Sequence, residues 1–184
     1  MDRFAEQLIG KLPDRADYFK RGLIAAGEIL ILALLVMLTL WAKYSILLFT
    51  IVAAAGSFWL VKYLWEGTDT EYEYIVTNDD LDVDKIIGKR KRKRMITIGL
   101  KTATALAPYL NETDVAADVT VVAHDGSGED LWYLSARSEK YGDLLLLFNP
   151  NEAVRENLIG GFEPILRAKL GAGKQDDGAE RAEQ

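Results

Sequence analysis

The residues with the plainest chemistry in this chain form a run of cations between positions 85 and 94. Seven of these ten residues are basic and none is acidic. The cations are Lys85, Lys89, Arg90, Lys91, Arg92, Lys93 and Arg94. Lysine and arginine beside a membrane are attracted to anionic headgroups, by about 1 kcal/mol for each cation near the surface. On a strand, the same cations can instead pair with carboxylates across the sheet.

The sequence therefore leaves more than one partner open for this basic run. Internal pairing is favoured by the acidic residues that precede the run, which are Glu71, Glu73, Asp80, Asp82 and Asp84. Contact with an anionic membrane is favoured because the run follows an apolar segment, which ends at Leu64, by only about twenty residues. A protein partner is a further candidate. Nucleic acid is disfavoured, since the chain carries a formal charge of −6 and no aromatic platform flanks the run.

Little in the sequence supports catalysis or a bound metal. The chain has no cysteine and a single histidine, His124, which lies beside Asp125 in a glycine-containing turn. The segment Asp80–Asp84 imitates the start of a calcium loop, but Lys85 replaces the required glycine and Lys91 replaces the bidentate glutamate. We predict no catalytic residue, no metal and no cofactor. A membrane-tethered enzyme that uses carboxylates of the sheet is the least favoured alternative.

Two apolar segments, Leu23–Ala42 and Tyr44–Leu64, each have about the 20 residues that a helix needs to cross a bilayer. Only Lys43 separates them, which predicts a tight helical hairpin. Positive charges are concentrated before the first segment and after the second, so both termini are predicted to be cytoplasmic. The sequence thus predicts a multi-pass protein of the plasma membrane.

Glu28 is the one acidic residue within the apolar segments, and Lys62 reaches a similar depth on the antiparallel neighbour. We predict an intramembrane ion pair between Glu28 and Lys62. One such charge does not mark a transport pathway, which needs several intramembrane polar groups. Small residues at positions 53–57 allow helices to approach closely, within the hairpin or between copies of the chain. A homo-oligomer is therefore left open.

The whole chain is predicted to have four regions. They are a cytoplasmic amphipathic segment (1–22), the transmembrane hairpin (23–64), a cytoplasmic domain (65–170) and a disordered tail (171–184). The first region is predicted to hold a short interfacial helix, because its apolar residues recur at helical spacing, at Phe4, Leu8, Ile9 and Leu12. The tail contains Gly, Ala and charged residues with nothing to bury.

Apolar and polar residues alternate in the cytoplasmic domain over about seven short runs, which is the period of half-buried strands. After the last run, Asn149 and Glu152 form a capping-box pattern that predicts the start of a helix, which Gly160–Gly161 and Pro164 should break. About seven mostly antiparallel strands and a C-terminal helix give an α+β fold of pleckstrin-homology-like (PH-like) architecture. A ferredoxin-like or other α+β sandwich is the main alternative.

Three segments carry a resemblance to a known family: EYEYIVTNDDLDVDKIIGKRKRKR at 71–94, Ala107 to Tyr109, and LLLLFNPNE at 144–152. In these segments the chain resembles small uncharacterised membrane proteins of clostridial-type bacteria, and the resemblance spans most of its length. The resemblance implies a two-helix anchor joined to a bacterial PH-like cytoplasmic domain. It implies no established activity.

Together these features predict a non-enzymatic binding or scaffold module that is anchored in the membrane. Its PH-like domain is expected to contact anionic lipid headgroups or a protein partner through the basic run. A structural subunit that acts by oligomerisation is the alternative.

Overall fold

The structure is a computed structural model that describes residues 3–110 and 115–170. It is an α+β protein that divides into two compact units. The helical unit contains Leu12–Thr70 and the short segment Ile87–Lys91, and the sheet unit contains the other described residues. The tail that was predicted to be disordered, residues 171–184, lies outside the described residues.

The helical unit contains two long apolar helices, α1 (Arg15–Trp41) and α2 (Leu47–Glu66). A capping box fixes the start of α1, because the Asp14 side chain accepts a hydrogen bond from the Asp17 amide at 2.9 Å and Asp17 accepts one from the Asp14 amide at 3.3 Å. Both helices are long and apolar enough to cross a membrane, and most of their apolar side chains are exposed.

The two helices are joined by a turn and by a polar contact near it. Lys43 and Tyr44 in this turn have positive φ values of 51° and 65°. Next to the turn, the hydroxyl groups of Thr39 and Thr50 lie 2.7 Å apart in a hydrogen bond that either can donate, and each oxygen is also within hydrogen-bond distance of a carbonyl in its own helix. This contact fixes the pairing of α1 with α2 at that end.

Among the described residues, the sheet unit has eight strands in two four-stranded sheets. The strands are β1 (Phe4–Gly10), β2 (Thr70–Thr77), β3 (Asp80–Ile87), β4 (Lys91–Gly99), β5 (Ala103–Pro108), β6 (Val119–Ala123), β7 (Trp132–Ser138) and β8 (Gly142–Phe148), and helix α3 (Glu152–Gly161) follows. The sheet orders are β1-β2-β3-β4 and β5-β7-β8-β6. The seven predicted strands correspond to β2–β8, and β6 pairs with β8 in parallel.

The first strand corrects the sequence prediction. Phe4–Gly10 is a strand and not an interfacial helix, and it pairs antiparallel with β2 along its whole length. Its side chains alternate between two faces: Ala5 is buried and Ile9 packs against the core, whereas Phe4 and Leu8 are exposed. The segment that precedes α1 is therefore part of the sheet.

The core of the sheet unit is formed by side chains from both sheets and from α3. Tyr74 of β2 lies at its centre and is fully buried. Its ring meets Phe148 of β8 edge to face at 5.5 Å, and its hydroxyl donates to the carbonyl of Ala123 on β6. Burial raises the pKa of Tyr74 well above its usual value. One residue thus ties the first sheet to the second.

The cap of α3 lies two residues later than predicted. Asn151 is the cap, because its side chain accepts a hydrogen bond from the Val154 amide at 2.8 Å. Asn149 is buried and bonds to a loop. Its side-chain oxygen accepts a hydrogen bond from the Asp125 amide at 3.0 Å, and its side-chain nitrogen donates to the Glu129 carbonyl at 2.7 Å. Asn149 therefore fixes a loop instead of starting the helix.

The predicted break in the C-terminal helix is confirmed. α3 ends at Gly161, and a second helical segment covers residues 164–170. A Cβ on Gly161 would lie 2.3 Å from the Leu100 side chain, so only glycine allows α3 to pack this closely. The same residue that weakens the helix is thus required for its packing.

Candidate functional site

The centre of the basic run is the turn between β3 and β4. Gly88 and Lys89 have φ values of 61° and 57°, and the Arg90 amide donates to the Ile87 carbonyl at 3.2 Å. Two successive residues with positive φ are the mark of a tight type I′ hairpin turn, whose twist matches that of the strands. The turn therefore presents the middle of the run as a hairpin tip.

This turn is attached to the chain that follows α2. The Gly88 amide donates to the Asp69 carbonyl at 2.8 Å. A Cβ on Gly88 would lie 3.0 Å from the Cα of Gly67 and 3.1 Å from the Glu66 carbonyl oxygen. Such contacts are tighter than most Cβ atoms make, and the positive φ disfavours other residues as well, so glycine suits position 88.

Arg90 reinforces the attachment from the helical unit. Its guanidinium donates to the Glu66 carboxylate at 3.0 Å and to the Tyr63 carbonyl at 2.9 Å. The guanidinium carbon also lies 3.9 Å from the centroid of the Tyr63 ring, which is a cation–π contact. Most of the binding capacity of Arg90 is therefore used within the protein. Sequence reasoning did not connect Tyr63 and Glu66 with the basic run, and the glycine before Lys89 was the one local signal of close packing there.

Arg92 and Arg94 are also used internally, by carboxylates of the first sheet. Arg92 pairs with Glu73 at 2.7 Å. Arg94 pairs with Asp82 at 2.5 Å and also with Asp84. Glu73 is only 4% exposed and Asp84 only 2%, so these carboxylates need a cation to remain charged. Internal pairing, one of the open alternatives, is therefore what these two arginines do.

The electrostatics of this cluster differ between its two ends. The hydrogen bond to Asp84, with the charge of Asp82, raises the pKa of Arg94. Burial raises the pKa of Glu73, helped by the nearby Glu6 and Asp84 carboxylates and opposed by Arg92. One Glu73 oxygen is buried with no hydrogen-bond partner in the described structure. The pair at Arg94 is thus well satisfied, and the pair at Glu73 only partly.

The lysines of the run behave differently from the arginines. Lys91 and Lys93 are exposed, and neither forms an ion pair with any residue that the structure describes. Lys85 is half-buried and likewise has no ion pair within the described ranges. Lys89 is exposed at the hairpin tip and has a contact of its own. The uncompensated positive charge of the run is therefore carried by lysine.

The predicted ion pair between Glu28 and Lys62 is not formed in this structure. The Glu28 carboxylate instead lies 3.0 Å from the Ser57 hydroxyl, whose single proton is shared between this carboxylate and the Ala54 carbonyl at 2.9 Å. The second Glu28 oxygen is buried without a hydrogen-bond partner among the described residues. The short side chain of Ser57 on α2 therefore contacts Glu28, whereas the longer side chain of Lys62 does not. Lys62 is exposed on α2.

The residues around His124 form a turn, as the sequence suggested. The His124 ring nitrogen Nδ1 accepts from the Gly126 amide at 2.9 Å, and Asp125 accepts from both the amide and the hydroxyl of Ser127 at 2.9 Å. These hydrogen bonds are local and occupy the side chains that a catalytic pair would need. No group of three metal-ligating side chains occurs in the part of the chain that the structure describes.

A separate groove runs between β5, β7 and α3 in the sheet unit. Its volume is about 440 Å³, and apolar side chains from the strands face it, including Leu106, Pro108 and Trp132. The Arg155 guanidinium of α3 lies 4.8 Å from the Trp132 ring centroid. β5 is at one edge of its sheet, with β7 as its neighbour. The groove therefore lies beside an edge strand.

Comparison with known proteins places this fold. No curated protein and no solved structure matches the chain. A family model described as a bacterial PH-like domain (DUF6106) matches residues 1–162, which include both long helices, all eight strands and α3. The family is uncharacterised, in agreement with the resemblance in the sequence, and two sheets with a C-terminal helix fit it better than a ferredoxin-like sandwich. The chain belongs to the bacterial PH-like domain family DUF6106.

Proposed function

We propose that this protein is a non-enzymatic, membrane-anchored PH-like module whose hairpin lysines contact anionic lipid headgroups. One observation carries the proposal: Lys91 and Lys93 are exposed and lack an ion pair among the described residues, whereas the arginines beside them are paired. Each such cation near an anionic surface contributes about 1 kcal/mol. The PH-like family itself has no established function, so this is a proposal about these residues.

The membrane anchor in this proposal is the helical hairpin. α1 and α2 leave most of their apolar side chains exposed, which a soluble protein rarely does over so large an area. We infer that both helices cross the plasma membrane, with both termini cytoplasmic, because the basic residues flank the hairpin at its open end. In this proposal the helical hairpin already holds the protein at the membrane. Contact of Lys91 and Lys93 with lipid would therefore orient the sheet unit and would not recruit it.

Lysine modification on the full chain tests the proposal. The protein is placed in nanodiscs of phosphatidylcholine alone or with phosphatidylglycerol, and the rate of acylation is measured at each lysine by mass spectrometry. We expect Lys91 and Lys93 to react several-fold more slowly in the anionic discs, with less protection at high salt. Lys140, exposed in the turn between β7 and β8, is the internal reference. Equal rates for Lys91 and Lys93 in both discs would contradict the proposal.

A second candidate function is contact with a protein partner at the groove beside β5. Its support is the combination of an edge strand with an apolar groove of about 440 Å³, which suits an extended segment that adds to the sheet. Crosslinking in native membranes tests it, with a photoreactive residue in place of Pro108 and another in place of Val122 as a control on β6. A partner captured only from position 108 would support this function, and equal capture from both would oppose it.

A further inference from the structure

We propose that α2 carries a separate seat for a phospholipid, in which Lys62 binds the phosphodiester of the headgroup. This seat differs from the hairpin lysines in place and in residues. It depends on α2 crossing the bilayer, but it does not depend on any lipid contact by Lys91 or Lys93.

The seat is formed by one face of the last turns of α2. Trp59, Lys62, Tyr63 and Glu66 are spaced at i, i+3, i+4 and i+7, so their side chains follow one stripe of the helix. They line a shallow groove of about 180 Å³. The rings of Trp59 and Tyr63 stack with their centroids 5.9 Å apart and an angle of 22° between the planes. The groove thus has an aromatic wall with a lysine beside it.

Among the described residues, the charges around the groove leave Lys62 without an ion-pair partner. Glu66 is one helical turn away from Lys62, which is the spacing of a common helix ion pair. Arg90 occupies that carboxylate instead, at 3.0 Å. Lys62 forms no ion pair with the described residues, and Glu28, its predicted partner, is bonded to Ser57. The cationic charge of the groove is therefore available to an anion.

The magnitude of that charge indicates the type of anion. Arg90 and Glu66 neutralise each other, so Lys62 leaves the groove with one net positive charge. One positive charge matches a singly charged phosphodiester better than a doubly charged phosphate monoester. Phosphodiesters are the linkage of ordinary membrane phospholipids.

The position of the groove on the helix favours a lipid over a phosphate ion from solution. Exposed apolar side chains, including Phe58 and Leu60, lie on α2 next to the groove residues in sequence, and the helix ends at Glu66. Tryptophan and tyrosine prefer the headgroup level of a bilayer, and lysine near a helix end extends toward the phosphates. Lys62 lies four residues before the end of α2, or about 6 Å along the axis. With α2 crossing the bilayer, the long Lys62 side chain can extend to the lipid phosphates at this end of the helix.

Native mass spectrometry of the full chain tests the seat. The purified protein is titrated with phosphatidylglycerol in detergent, and the affinity of the first bound lipid is compared between the wild type and Lys62→Gln. We expect about a fivefold loss of affinity in Lys62→Gln, as the loss of one cation predicts. Lys62→Arg should keep most of the binding. Lys43→Gln, at the opposite end of the hairpin, is the matched control and should bind this lipid as the wild type does.

Further arms separate this seat from the hairpin lysines and from free phosphate. The double variant Lys91→Gln/Lys93→Gln should keep the first lipid, and millimolar inorganic phosphate should not displace it. Unchanged affinity in Lys62→Gln would overturn the proposal, whatever the hairpin lysines do. Displacement by inorganic phosphate would also overturn it, because the seat would then take a solution ion. Thermal unfolding of each variant shows whether a loss reflects binding or folding.

Discussion

The two faces of the first part of β4 use their positive charge in opposite ways. Arg92 and Arg94 are on one face and neutralise the buried carboxylates of β2 and β3. Lys91 and Lys93 alternate with them and remain exposed, without ion pairs in the described structure. Because successive side chains of a strand point to opposite sides, alternating arginine and lysine creates an ion-paired face and a face without ion pairs among the described residues, within four positions. A basic run is therefore not one functional unit.

The largest effect should come from breaking the arginine face. Arg94→Gln leaves Asp84 buried without its cation, and we expect the free energy of unfolding to fall by about 3 kcal/mol. Lys93→Gln on the other face should change it by less than about 0.5 kcal/mol. Urea unfolding of the full chain in detergent measures both. Similar losses in the two variants would contradict the distinction between the faces.

The next largest effect should come from the hairpin turn. Gly88→Ala adds a Cβ at positive φ that also lies 3.0 Å from the Cα of Gly67, and we expect a loss of about 2 kcal/mol. Gly126→Ala is the matched control, since Gly126 has a φ of 89° with nothing within 4 Å of the added Cβ. This control should lose about 1 kcal/mol, from the backbone alone. Equal losses would show that the turn is not held closely.

A smaller effect is expected when the lysine face alone is changed. Lys93→Gln should weaken association of the β3–β4 turn with the surface of anionic nanodiscs by about fivefold, as the loss of one surface cation predicts. The stability of the protein should be unchanged. Hydrogen exchange of the β3–β4 turn in anionic and neutral discs measures it. Protection that is the same in Lys93→Gln and the wild type would count against a role for this lysine.

The smallest effect concerns the partly satisfied pair at Glu73. Since burial raises its pKa, folded Glu73 holds its proton more tightly than the unfolded chain does. The free energy of unfolding should therefore fall as pH rises from the ordinary glutamate pKa through the raised value. Glu73→Gln removes this pH dependence, so the variant should gain stability relative to the wild type at pH 7 and lose that gain as the pH falls below the ordinary glutamate pKa. Glu139→Gln, at an exposed position, should have the same pH profile as the wild type.

The sequence predicted seven strands correctly because β2–β8 are short runs, some alternating and some continuously apolar as in β8, that are bounded by turn residues. It misassigned β1 because Phe4 and Leu8 satisfy helical spacing and strand alternation equally well. What decides between them is pairing with β2, whose residues are about 70 positions away. Local periodicity cannot report such a distant partner. The cap was predicted two residues before Asn151 for a related reason, since Asn149 bonds to loop residues 20 to 24 positions earlier in the sequence.

The sequence predicted the basic run as a candidate site, but it did not predict that the arginines and the lysines of the run have different roles. The alternation of lysine and arginine after Gly88 already has the period of a strand, so two faces could have been inferred. Which face meets the carboxylates depends on the position of β4 beside β3, and only the structure gives it. The contacts of Arg90 with Tyr63 and Glu66 were also beyond local sequence, because they join residues 24 and 27 positions apart.

The central claim is that the lysine face approaches an anionic membrane. The chain has no cysteine, so Lys93→Cys provides a single position for a spin label. The labelled protein is placed in nanodiscs that contain a trace of nickel-chelating lipid, either with phosphatidylglycerol or with phosphatidylcholine alone. The relaxation rate of the spin label is then measured. We predict that the headgroup nickel relaxes the label strongly in the anionic discs and more weakly in the neutral ones, with Lys91 still present. Equal relaxation in the two lipids, at the level of a label far from the surface, would contradict the claim.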